Sequence, residues 1–84
     1  MGTTQADIRG WLKDAKKKGA THLLVVCDGF DHEDYPVFIM PGQNAKAVAE
    51  KEYSGVDMQH VMECYSLAGD IEAQLNEHRA FHWE

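Results

Sequence analysis

The stretch Thr21-His22-Leu23-Leu24-Val25-Val26-Cys27 decides the fold. Its apolar run is continuous, where a half-buried strand would alternate apolar with polar. Such a run reads as a strand covered on both faces or set in the middle of a sheet. The acidic stretch that follows, Cys27 to Pro36, interrupts it.

Working outward toward the N-terminus, Thr4 is an N-cap candidate with Asp7 in the first turn of a helix. Ile8, Trp11, Leu12 and Ala15 repeat at helical spacing and make one apolar stripe. Trp11 belongs to that stripe and reads as a core residue. Lys16, Lys17 and Lys18 suit the negative end of the helix dipole, and Gly19 supplies a left-handed C-cap.

Toward the C-terminus, Tyr35-Pro36-Val37-Phe38-Ile39-Met40 reads as a second strand that Pro41-Gly42 stops. Pro36 has no N–H for a ladder bond, so it belongs at a strand start or on a sheet edge. Asn44 caps a second helix with Ala45, Val48, Ala49 and Tyr53 as its stripe, and Ser54-Gly55 ends it. Residues 56–67 fit a strand or a helix. Gly55 and Gly69 bound the segment and its polar residues alternate, so a strand is preferred. Val56, Met58, His60, Met62 and Cys64 would then share a face, opposite Asp57, Gln59 and Glu63. Asp70 caps a last helix with Ile71, Ala73, Leu75 and His78 near one face. Phe81, His82 and Trp83 form an aromatic tail that must dock or fray.

The order is α-β-β-α-β-α. The first two strands make an antiparallel hairpin, and the helix between the second and third makes a right-handed crossover. If the third strand skips the second and pairs with the first, the sheet order is 2-1-3. All neighbours are then antiparallel, with the most apolar strand in the centre. The expectation is one α+β domain over residues 1–84, a two-layer αββαβα arrangement with helices packed on a three-stranded antiparallel sheet. A chain of 84 residues buries only about 60% of its unfolded surface, so assembly into a homodimer would help it.

Composition narrows the function classes. The chain is 44% hydrophobic and 26% charged, which is ordinary for a globular domain. No apolar run approaches the roughly 20 residues of a membrane span, and no export signal is seen. A cytoplasmic protein with Cys27 and Cys64 as reduced thiols is expected. The net charge of −6 is uneven. Residues 1–20 carry five basic against two acidic side chains, a net +3. Residues 21–84 carry three against twelve, a net −9. A nucleic-acid binder usually shows a broad basic face, so direct nucleic-acid binding is not expected. An acidic body meets a basic protein surface more readily.

The run Cys27-Asp28-Gly29-Phe30-Asp31-His32-Glu33-Asp34-Tyr35-Pro36 holds four carboxylates, a thiol and an imidazole. With the hairpin above, residues 28–35 form its loop. Asp28, Asp31, Glu33 and Asp34 lack the alternate spacing, sixth-position glycine and twelfth-position Glu of an EF-hand. A hard cation would still relieve their mutual repulsion. His78 and His82, four apart, would share a metal only with a third ligand such as Cys64, His60 or Cys27, and no CxxC or HExxH is present. The blander reading of these histidines is helix-terminal side chains near the negative dipole end. For nucleophilic catalysis, Asp28 beside Cys27 would raise the thiol pKa and so disfavour its activation. The glycines Gly29, Gly42, Gly55 and Gly69 are isolated and make no phosphate loop. No cofactor and no enzymatic activity are expected.

The run WLKDAKKKGATHLLVVCDGFDHEDYPVF, residues 11–38, resembles a family of small uncharacterised bacterial and phage proteins. The similarity continues through MPGQNAKAVAEKEY to the terminal EHRAFHW and covers nearly the whole chain. It implies a stand-alone intracellular domain of the kind carried by mobile elements. The family has no established activity, so it assigns no site residue. On the residues themselves, the leading expectation is a non-enzymatic binding protein. It would meet a basic protein partner through Phe30, Asp31, His32, Glu33, Asp34 and Tyr35, since an aromatic ringed by acids makes a fair contact point. The alternatives are a small-ligand sequestering protein with a pocket between protomers, and a metal-dependent protein. In the sequestering protein His22, Arg9 or the lysine cluster would hold anionic groups; the metal-dependent protein would use the acidic loop or the histidines.

Overall fold

Leu23, Leu24, Val25 and Val26 are all buried, none more than 2% exposed, although their side chains alternate between the two faces of the sheet. In the computed structural model, which describes residues 4–29, 33–52, 59–77 and 79–83, both faces are covered. The elements are α1 (Gln5–Lys18), β1 (His22–Asp28), β2 (Glu33–Ile39), α2 (Ala45–Glu52), β3 (Gln59–Ser66) and α3 (Ile71–Leu75). The sheet order is β2-β1-β3 and both pairings are antiparallel, as the apolar pattern predicts. Among the described residues no helix is long and apolar enough to cross a membrane.

The layering goes one step beyond the two-layer expectation. Leu23 and Val25 pack with Ile8 and Leu12 of α1 and Leu75 of α3. Leu24 and Val26 pack on the other face with Ala45 and Ala49 of α2. Helices therefore flank the sheet on both sides, which is why β1 cannot carry a polar alternation.

Local signals fix the helix ends. Thr4 and Asp7 form a reciprocal capping box, and Gly19 closes α1 at φ 77°. That left-handed backbone favours glycine. Asn44 accepts the Ala47 N–H at 3.0 Å and Asp70 accepts the Ala73 N–H at 3.2 Å. Tyr53, the Ser54-Gly55 stop, residues 56–58 and His78 lie outside the described residues. Trp11 is half-buried against the α1-side cluster.

Strand β3 carries one correction. Val25 pairs with Glu63 and Val26 with Val61, so Met62 is left over as a bulge. The extra residue resets the alternation. Met62 packs on the α1 side, whereas Cys64 is buried on the α2 side with Val61. Met62 and Cys64 therefore do not share the face expected of them. Beyond β3, the chain returns to its free edge. Phe81 bridges Cys64 in parallel, the Cys64 N–H donates to the Ala80 carbonyl at 2.7 Å, and the His82 N–H donates to the Cys64 carbonyl at 2.9 Å.

Gln74 is the least expected core residue, only 2% exposed. Its side-chain carbonyl accepts the Ser66 N–H at 2.8 Å, and its amide donates to the Ser66 carbonyl at 3.0 Å. It thus caps the end of β3 as a further strand residue would. A Cβ on Gly69 would lie 2.8 Å from the Gln74 amide nitrogen, so a larger residue there would push that amide aside. We expect Gln74→Leu, which keeps the volume but strands the Ser66 N–H, to cost about 1–3 kcal/mol. Urea unfolding monitored by tryptophan fluorescence reads this as a lower midpoint at unchanged slope.

Candidate functional site

The acidic stretch is less of a loop than its composition implies. Asp28 pairs with Glu33, Cys27 with Asp34 and Val26 with Tyr35. Asp28, Glu33 and Asp34 are therefore strand residues, which corrects the loop expected of them, while Tyr35 lies in β2 as the second-strand reading has it. The ladder persists because strand pairing satisfies the backbone groups of these residues at the sheet end, where Glu33 is exposed and Asp28 and Asp34 are half-buried. Tyr35 is half-buried and packs against the α2-side cluster, so it is a framework residue on that face. Phe30, Asp31 and His32 lie outside the described residues. Gln59 and His60 open β3 opposite Asp28 and Cys27, so three strand ends meet here.

The described metal candidates do not converge. Among the described residues no group of three or more His, Cys, Asp or Glu side chains is placed to share an ion. The His82 imidazole meets Glu77 at 2.7 Å, while the Cys64 thiol donates to the His82 backbone carbonyl at 3.3 Å. His22 contacts the Thr21 hydroxyl at 3.0 Å through Nδ1.

Cys64 is fully buried, and burial pushes its thiol from an ordinary 9.0 up to about 12. A thiol so held is a poor nucleophile at neutral pH. Beside it, the Tyr65 hydroxyl donates to Glu63 Oε2 at 2.8 Å, and the Ala80 N–H donates to the same oxygen at 3.3 Å. Burial, then the Glu63 bond and charge, raise the Tyr65 pKa. In the sequence Glu63 is only a polar residue of an alternating strand. It pins the returning chain, a role no local pattern signals.

A concavity lies between α1 and the β3–α3 connection. It encloses about 450 Å³. Leu12, Ala20, Leu67 and Ile71 supply its apolar surface, and Arg9, Lys13 and Lys16 rise from α1 beside them. Arg9 reaches across to α3, where both its terminal nitrogens bond the Glu72 carboxylate, Nη2 to Oε1 at 2.7 Å. That bond holds the Glu72 carboxyl below its usual range and raises Arg9. Exposed as it is, the pair adds little stability and mainly fixes geometry.

Comparison with protein-family models, with curated proteins and with solved structures finds no match. The residues and their geometry are thus the basis for any functional reading.

Cys64 and Tyr65 make stability fall with alkali. Folding raises both pKa values, so the folded state holds these protons more tightly than the unfolded chain. The stabilisation is complete below pH 9 and is lost as the pH rises toward about 12. We expect unfolding midpoints to drop across this window and Cys64→Ala to flatten its lower part. A wild-type profile that stays flat to pH 11 would contradict the burial argument.

Proposed function

We propose that the protein acts by binding, not by catalysis, and that the acidic end of its sheet meets a basic surface on a partner protein. The supporting observation is the separation of charge along β1. Asp28, Glu33 and Asp34 gather where β1 ends and β2 begins. Lys16, Lys17 and Lys18 close α1, just before β1 starts. A seven-residue strand spans about 20 Å, more than twice the roughly 8 Å screening length at physiological salt. The two ends therefore act on their surroundings separately.

In this reading Phe30, Asp31, His32, Glu33 and Asp34 make the contact, with Phe30 as its apolar centre. Tyr35 holds the strand beneath it. The mode suits a small protein of phage or mobile-element origin, since a charged tip on a small scaffold blocks a host protein without needing a catalytic pocket. Within the described residues the buried nucleophile Cys64 is held protonated, and its neighbour His82 turns its ring to Glu77.

The test is affinity capture at about 50 mM and about 500 mM salt with two double variants of equal charge change. Asp31→Lys with Glu33→Lys alters the hairpin; Asp14→Lys with Glu50→Lys alters exposed helix positions elsewhere. We expect a basic protein retained by the wild type and the helix variant, lost by the hairpin variant and released at high salt. Equal capture by both variants would remove the proposal.

A further inference from the structure

We propose that the groove between α1 and α3 is a binding site for a small amphipathic anion, one anionic headgroup on an apolar body. The argument starts from the spacing of α1. Arg9, Lys13 and Lys16 recur at intervals of four and three, so they share one helix face. Leu12 lies beside them and is buried, and its side chain forms part of the groove surface with Ala20, Leu67 and Ile71. Cations and apolar surface are thus set side by side by helix periodicity.

The charges in the groove are not equivalent. Arg9 is committed to Glu72, and this bond ties α1 to α3 at the end of the groove nearer the N-terminus of α1. Lys13 and Lys16 are exposed and form no ion pair with another described residue. The groove therefore carries a surplus of two positive charges on a chain whose net charge is −6. That local inversion of sign selects an anion. Leu67 and Ile71 are half-buried, so a bound apolar body would complete their burial. The volume, about 450 Å³, falls within the range of small-molecule sites and is small for a protein segment. A carboxylate or a phosphate would serve equally as the headgroup, since an ammonium binds either as a point charge. The site lies within one chain, in contrast to the pocket between protomers that the sequence suggested. It is also independent of the hairpin contact.

The probe is decanoate, below its micelle-forming concentration, with decanol as the uncharged counterpart. Binding is followed by amide chemical shifts on the whole chain. We expect saturable decanoate shifts centred on Leu12, Ala20, Leu67 and Ile71, and a markedly weaker response to decanol. Lys13→Glu with Lys16→Glu should weaken decanoate about tenfold or more. Lys46→Glu with Lys51→Glu, both exposed on α2, changes the net charge equally away from the groove and should leave binding unchanged. Decyl phosphate in place of decanoate distinguishes the two headgroups; binding of either supports the site. The proposal is overturned by shifts centred elsewhere, by equal weakening in the two double variants, or by decanol binding as tightly as decanoate. Self-association lost in the Lys13→Glu, Lys16→Glu variant, with no decanoate shifts, would also overturn it and make a second copy the occupant.

Discussion

Every other feature of the molecule depends on removing four consecutive side chains of β1 from water at once. Leu23 and Val25 leave on one face, Leu24 and Val26 on the other, so one strand feeds two apolar clusters. Each buried side chain contributes about 1.5–3 kcal/mol. Harvesting that on both faces requires a cover on both. Helix α1 and α3 supply one and α2 the other, and the strand has to be central because only a central strand also has both its backbone edges paired. The order β2-β1-β3 follows.

The sheet edges are handled differently. Pro36 lies on β2, the edge strand, where a missing N–H is tolerated. The outer edge of β3 is instead covered by the returning chain at Ala80 to His82. That cover rests on polar groups in dry places. Glu63 accepts from Tyr65 and Ala80, the Cys64 thiol donates to the His82 carbonyl, and Gln74 completes Ser66. Among the described side chains no buried nitrogen or oxygen lacks a partner. In a domain this small one stranded donor is a sizeable fraction of the stability. Phe81 and Trp83 then stack at 5.9 Å, with Trp83 against the α2-side cluster, so the aromatic tail docks on its own chain.

Charge follows the same scaffold. A basic helix end precedes β1 and an acidic hairpin follows it, so the strand that organises the core also holds the two charged regions apart. The α1–α3 groove has a different origin. It arises because α1 shows one apolar stripe to the sheet while its cationic flank looks over the β3–α3 connection. The one small scaffold thus carries two surfaces of opposite sign.

The sequence by itself determined the element order, the helix caps at Thr4, Gly19, Asn44 and Asp70, and the central place of β1. Each of these is a local signal or a periodicity, and both survive folding because the backbone must satisfy them wherever the chain goes. Tertiary structure alone decided the bulge at Met62, the strand character of Asp28, Glu33 and Asp34, the burial of Gln74 and the grip of Glu63 on the C-terminal segment. It also decided that Lys13 and Lys16 face Leu67 and Ile71 across a groove. Each of these joins residues through pairing register or through packing between elements distant in sequence. Residue type and spacing do not encode such distances, so carboxylates next to a turn read as loop and the core place of Gln74 goes unsignalled.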